Sequence, residues 1–175
     1  MVTNVGNPYP AYFQPTGDGL IDATTNGYFW KVDESRTIDI ALANGFDGEY
    51  WHEPAQMALW LTTVSEEISY YTNIKFNFSG FYVNPIVAAS SGAEITLSAD
   101  ARYLLFNSSD SWALGFFPNS SVDALYPGAP GDIYINFKSE ANYLPSYELG
   151  SQGWFLLLHE MGHALGLTHP HHDGG

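Results

Sequence analysis

The stretch His159–His169 reads HEMGHALGLTH and directly follows the apolar run Trp154–Leu158. On an α-helix, residues four positions apart project from the same face, so His159 and His163 can direct both imidazoles at one metal ion. Glu160 lies about 100° around the helix from His159, where its carboxylate can accept a proton beside the metal without being a ligand. The spacing therefore predicts two metal ligands and a general base on a single helix.

His169 is the candidate for a third ligand, but it follows His163 by six residues. Continued as regular helix, those residues would rotate His169 by about 240° from His163, so the helix must end between them. Gly166 can end it, because glycine adopts the left-handed conformation that closes helices, and Pro170 disfavours helical continuation. The sequence predicts a helix over Gln152–Leu165 and three imidazoles that leave one zinc coordination position open for water, an arrangement that hydrolyses amide bonds.

Less specific interpretations of the same residues exist. The five-residue pattern His159–His163 also arises by chance in long sequences. In that case the segment would be a buried helix whose two histidines are simply hydrogen-bonded. Other zinc enzymes take their third ligand, a glutamate, from a later helix, but the spacing of Gly166 and His169 argues against this alternative. His171 and His172 follow the predicted turn and are expected to be exposed and not to bind the metal.

Composition limits the class of protein and its partners. With 175 residues, 45% of them hydrophobic, the chain can form one compact domain. The net charge of −14 repels phosphates and anionic lipid, so nucleic acid and membrane surfaces are excluded as partners. The acidity fits simple solubility, or secretion into a calcium-containing medium. No cysteine is present, so a metal must be held by His, Asp or Glu.

Hydropathy patterning predicts the organisation of the chain. Residues 1–27 are rich in Gly, Pro, Asn and Thr and are interpreted as an extended arm or pro-segment, without a cleavable signal peptide. No apolar run reaches the roughly 18 residues of a membrane-spanning helix. Residues 28–175 are interpreted as a catalytic domain.

Individual elements follow from the same patterning. A long helix that begins at Pro54 is predicted from an apolar stripe with spacings of four and three residues: Met57, Leu61, Val64, Ile68 and Tyr71. Alternating residues predict strands at Thr37–Leu42, Ile74–Phe78, Ala93–Leu97 and Ile133–Phe137. The segment Trp112–Pro118 suits an edge strand because of its Gly and its terminal Pro. The serine-rich stretches 89–91, 107–111 and 119–121 are interpreted as turns.

These features together resemble the metzincin clan of metalloproteases, and within it the secreted, serralysin-like bacterial proteases. Besides HEMGHALGLTH, the resemblance includes Leu20–Ala23 with Gly27 and Trp30, which is similar to the opening of their catalytic domains. Gly131–Asn136 is similar to the strand before their zinc-binding helix, and Trp112–Pro118 falls where they have a cleft-lining edge strand.

The resemblance implies a fold, a site and a substrate. The fold would be α+β: a metzincin-like N-terminal subdomain with a twisted, mixed and mostly parallel five-stranded sheet, a long early helix and a C-terminal active-site helix. Zn²⁺ would bind His159, His163 and His169, with Glu160 as the catalytic general acid and base. An extended polypeptide substrate would pair with the edge strand at Ala113, Leu114, Gly115 and Phe116.

The C-terminal region departs from the family pattern. Metzincins have a methionine-containing turn downstream of the third histidine, but here methionine occurs only at positions 1, 57 and 161. The tyrosine after that turn, the wall of the specificity pocket and the calcium-binding repeat domain are also missing. We therefore expect the chain to correspond to the N-terminal part of such an enzyme, truncated after the third ligand, with Ca²⁺ bound only in the absent repeat domain.

The predicted function is that of a secreted, extracellular, zinc-dependent endopeptidase. The alternative is a secreted binding or surface module that keeps the protease fold and the metal but does not catalyse.

Overall fold

A computed structural model describes residues 24–25, 27–32, 34–46, 49–99, 111–123, 126, 128–136 and 147–169. Five strands and four helices are described along this part of the chain, and the helix that carries His159 and His163 is the last of them. In chain order they are β1 (Thr37–Ala43), α1 (Pro54–Tyr71), β2 (Lys75–Tyr82), α2 (Pro85–Ser91), β3 (Ile95–Ser98), β4 (Ala113–Gly115), α3 (Ser120–Asp123), β5 (Ile133–Ile135) and α4 (Gln152–Ala164).

The five strands form one sheet in the order β2-β1-β3-β5-β4. All neighbouring pairs are parallel except the last, in which β4 runs antiparallel to β5 at the edge of the described sheet. The predicted α+β class is thus confirmed, with its mostly parallel five-stranded sheet, long early helix and C-terminal helix. The prediction of an edge strand within Trp112–Pro118 is also confirmed.

The main core lies between one face of the sheet and the two long helices. Met57, Leu61 and Val64 of helix α1 are buried in this core at spacings of four and three residues, and Ile68 packs against it. Tyr71, the last residue of the predicted stripe, is 75% exposed and does not contribute. Helix α4 packs against the same core through Trp154, Leu157, Met161 and Ala164. Helix α4 is therefore held against the sheet by its buried apolar residues.

Among the described residues, a smaller apolar cluster lies on the opposite face of the sheet. There Ala41 and Ala43 of β1 pack with Ala88 of α2. In β1, Ile38, Ile40 and Leu42 alternate with other residues, but Ala41 is apolar as well and interrupts the alternation. Parallel strands that are buried on both faces commonly have apolar residues at consecutive positions, which explains this exception.

Two serine-rich stretches were wrongly predicted as turns, because residues 89–91 belong to α2 and residues 120–121 to α3. The side chain of Asn84 accepts a hydrogen bond from Val87 N at 3.0 Å and caps α2, and Pro85 is its first residue. Asn119 likewise accepts from Ser121 N at 2.9 Å at the start of α3. These capping interactions stabilise helix starts that a count of serines does not reveal.

Element boundaries differ from the predictions at several ends. Strand β2 continues to Tyr82, four residues beyond the predicted end, and β5 ends at Ile135. Phe137, most of the 107–111 stretch, and residues 1–23 and 26 of the predicted arm lie outside the described residues. Among the helices that the structure describes, none combines the length and apolar character needed to cross a bilayer.

Candidate metal centre

Helix α4 carries the first two candidate ligands on the side away from the core. Its N-terminus is capped by Ser151, whose Oγ accepts from Trp154 N at 3.1 Å. Because Trp154, Leu157 and Met161 are buried, His159 is turned to solvent and His163 is half-buried. The packing of one helix face thus fixes the direction of both imidazoles.

The helix ends where the sequence predicts. Gly166 has a φ of 101°, the left-handed region. Leu167 N donates to Gly162 O at 2.9 Å, and Gly166 N donates to His163 O at 2.9 Å. This pair of bonds is a Schellman motif, which closes the helix and reverses the chain.

The reversal returns His169 to the two helical histidines. The three Nε2 atoms lie 3.1 Å apart for His159 and His163, 3.2 Å for His163 and His169, and 2.9 Å for His159 and His169. Three nitrogens at about 2.0–2.1 Å from one tetrahedral ion lie about 3.3–3.4 Å apart. The three histidines are therefore close enough, and suitably directed, to bind one metal ion.

The protonation states of the imidazoles also suit metal binding. His163 Nδ1 lies 2.7 Å from the carbonyl oxygen of Leu167. A carbonyl only accepts hydrogen bonds, so Nδ1 carries the proton and Nε2 presents its lone pair to the metal. The side chain of His159 is partly shielded from water although the residue is exposed, and this partial desolvation, together with the nearby His163 and His169, lowers its pKa and so favours its neutral, metal-binding form.

Glu160 lies on the same helix but is turned towards the sheet, where it is buried. Burial raises the pKa of its carboxyl group to about 7, and a hydrogen bond from the backbone N–H of Gly115 partly opposes this rise. A carboxyl group with such a pKa can both accept and donate a proton near neutral pH.

Close contact between β4 and α4 requires glycine at position 115. A Cβ atom there would lie 2.7 Å from Glu160 O, 2.9 Å from Glu160 Oε2 and 3.0 Å from His163 Cβ. The edge strand can therefore approach the helix only because this residue has no side chain.

The backbone of β4 divides its polar groups between two directions. Phe116 N donates to Asp132 O and Asn136 N donates to Trp112 O, each at 2.9 Å. Because hydrogen-bonded pairs alternate along an antiparallel ladder, Leu114 also bonds towards β5, whereas Ala113 and Gly115 face the outer edge. Of the four predicted substrate-binding residues, Ala113 and Gly115 thus have backbone groups directed away from the sheet.

Two further contacts at the site were not anticipated from the sequence. The ring of Phe117 meets that of His163 edge-on, with centroids 5.4 Å apart. The role of Gly115 as a donor to Glu160 was also missed, although a glycine inside a strand is itself a signal of close backbone approach. His52 is exposed and contacts the ring of Tyr50, while His171 and His172 lie outside the described residues.

The chain thus has an α+β fold in which three histidines lie close enough to bind a metal ion, and the residue after the first of them is a buried glutamate. No protein-family model matches this chain, and a search of curated proteins finds no significant relative.

Proposed function

We propose that this chain is a zinc-dependent endopeptidase that hydrolyses peptide bonds of extended polypeptides. The observation that carries the proposal is the convergence of three imidazole Nε2 atoms within 2.9–3.2 Å of one another, next to the buried carboxyl group of Glu160. The HEMGHALGLTH motif supports membership of the metzincin proteases and, with the early Trp30 region and the edge strand, a serralysin-like, secreted enzyme.

His159, His163 and His169 would hold the zinc ion. A site of three neutral imidazoles without thiolates suits zinc among several transition metals, and three protein ligands leave a position for catalysis. When bound, zinc supplies a Lewis acid that polarises a carbonyl group and makes a water molecule more acidic.

Glu160 would move the proton during hydrolysis. Its carboxylate accepts a proton from the attacking water and later donates it to the nitrogen of the leaving amine. The pKa of about 7 suits both steps, because the carboxyl group can exist in either form near neutral pH. The N–H of Gly115 keeps the carboxylate oriented beside the histidines.

The outer edge of β4 would bind the substrate. An extended peptide that adds to this edge pairs with the backbone of Ala113 and with the carbonyl of Gly115, whose N–H is already bonded to Glu160. Since β4 contacts α4 directly through Gly115, a peptide paired there lies next to the metal ligands.

The test combines metal binding with turnover of an unstructured protein substrate. Glu160→Gln is expected to keep one zinc ion per chain while losing at least a hundredfold in kcat, because the amide cannot take up the proton. Glu94→Gln is the matched control: burial also raises the pKa of Glu94 to about 7, but its carboxylate accepts from Asp39 N at 2.6 Å on the sheet. This control should keep its activity, and a chelator should abolish it.

Two outcomes would contradict the proposal. Unchanged cleavage by Glu160→Gln would exclude the role of this residue. Zinc bound at one ion per chain without any turnover by the unsubstituted protein would instead favour a binding module that keeps the metal site.

A further inference from the structure

A segment far upstream in the sequence lies against the turn that carries the third histidine. We call residues 24, 25 and 27–30 the clip. Thr25 forms an antiparallel bridge with Leu167, and Thr168 N donates to Thr24 O at 3.0 Å. The clip therefore pairs with the two residues that immediately precede His169.

The clip also contacts the end of helix α4. Gly166 approaches the backbone of Tyr28 so closely that a Cβ atom would lie 2.1 Å from the Tyr28 carbonyl oxygen. Two residues before Gly166, at the last residue of α4, the indole Nε1–H of Trp30 donates to Ala164 O at 2.7 Å in a buried hydrogen bond. This bond satisfies a carbonyl that the end of the helix leaves without a helical partner.

Trp30 is itself held firmly in place. Its side chain is only 9% exposed and belongs to the main core. On its other side the ring lies against Gly131, where a Cβ atom would come within 2.2 Å of the ring. The indole therefore connects the core to the last turn of α4.

Two of the three ligands depend on the residues that the clip contacts. The carbonyl of Leu167, whose position the bridge to Thr25 fixes, orients the imidazole of His163 through the 2.7 Å contact with Nδ1. Thr168, whose N–H donates to Thr24 O, immediately precedes His169 in the chain. Groups that orient metal ligands from outside the coordination sphere commonly change metal affinity by about 10–100-fold.

We propose that the clip is a positioning element for the metal site, with Trp30 as its principal residue, so that docking of the clip and metal binding stabilise each other. This inference rests on the metal-binding part of the proposed function and not on peptide hydrolysis. Coupling of this kind is reciprocal. Interactions that stabilise the docked clip raise the affinity for zinc, and bound zinc in turn stabilises the docked clip.

The first test compares two tryptophan substitutions in the whole chain. Trp30→Phe removes the donor and keeps an aromatic ring. Trp51→Phe is the matched control, because the Trp51 indole is 7% exposed and donates to Ala43 O at 2.6 Å, at the end of β1. Both should lower the urea midpoint of the metal-free protein, but only Trp30→Phe should weaken zinc affinity, on the order of tenfold, in a competition titration with a chromogenic chelator.

Cobalt substitution gives a readout of geometry that a general loss of stability does not change. The visible spectrum of Co²⁺ should shift in Trp30→Phe and remain as in the unsubstituted protein in Trp51→Phe. Equal zinc affinities and identical spectra in the two variants would overturn the inference, whereas an unsubstituted protein that binds no zinc would overturn the proposed function itself.

A measurement on the unsubstituted protein covers the case in which Trp30→Phe does not fold. Hydrogen exchange of the two indole N–H groups is followed by NMR with and without zinc. Zinc should slow exchange at Trp30 several-fold more than at Trp51. An equal effect at both indoles, or no effect at Trp30, would show that the clip and the metal site are independent.

Discussion

Replacement of Gly166 by alanine is expected to destabilise the protein more than the same change at a glycine with the same backbone φ angle. Gly92, which follows helix α2, is the comparison, because both residues have a φ of 101° and both end a helix. A Cβ atom at Gly92 would meet nothing within 4 Å, whereas one at Gly166 would lie 2.1 Å from Tyr28 O. The two sites therefore share the backbone cost and differ in steric overlap.

The magnitudes follow from these two contributions. A left-handed conformation costs a residue with a Cβ atom about 1–2 kcal/mol, which is the whole expected effect of Gly92→Ala. Overpacking against a backbone that must shift adds about 1–3 kcal/mol at Gly166, for a total of about 2–5 kcal/mol. In a chain of this length, 1 kcal/mol corresponds to roughly 2–4 °C in Tm.

Urea denaturation of the metal-free variants measures the difference directly, and zinc titration of each variant adds a second readout. Gly166→Ala should also weaken zinc binding, since Gly166 sets the path of the chain to His169, whereas Gly92→Ala should not. Equal losses of stability in the two variants would show that the contact with Tyr28 O adds no cost, and unchanged zinc affinity in Gly166→Ala would show that Gly166 does not set the position of His169.

Two further predictions concern the neighbours of the metal ligands and the opposite face of the sheet. Gly115→Ala should lower kcat by about 10–100-fold and zinc affinity by much less, because the new Cβ atom displaces the carboxylate of Glu160; parallel losses in kcat and affinity would contradict this. Burial raises the pKa of Asp132 well above its ordinary value. Protonated Asp132 therefore contributes fully to the free energy of unfolding below its unfolded-state pKa of about 4. This contribution is lost as the pH rises through the pKa of Asp132 in the folded protein. Relative to Asp132→Asn, the unsubstituted protein should lose stability with rising pH by at most about 1.4 kcal/mol per pH unit, and parallel pH profiles of urea unfolding would disprove this.

Much of the candidate site could be predicted because its geometry is local. The spacing of His159 and His163 and the adjacent Glu160 follow from helical periodicity, and the break at Gly166 follows from the conformational freedom of glycine. The structure confirms the helix, its end and the approach of His169. The alternative of a buried helix with two hydrogen-bonded histidines does not account for His169, whose Nε2 approaches those of both helical histidines.

Other features could not be read from composition. Helix α2 begins at a capped Asn-Pro pair and ends at a left-handed glycine, yet its serine-rich end was interpreted as a turn. A cap depends on one side chain accepting one backbone N–H, and a count of residue types does not detect it. The order of the strands likewise depends on contacts between elements that are distant in sequence.

Residue order alone specifies the local features of the candidate site: which histidines can bind a metal, which carboxyl group follows the first of them and where the helix must stop. The surroundings of these residues depend on packing between elements that are distant in sequence. The pKa of Glu160 is raised because the sheet buries it, Gly115 reaches it because β4 is the edge strand, and Trp30 reaches Ala164 although 134 positions separate them. Burial and long-range hydrogen bonds arise from packing, and no local pattern of residues specifies them.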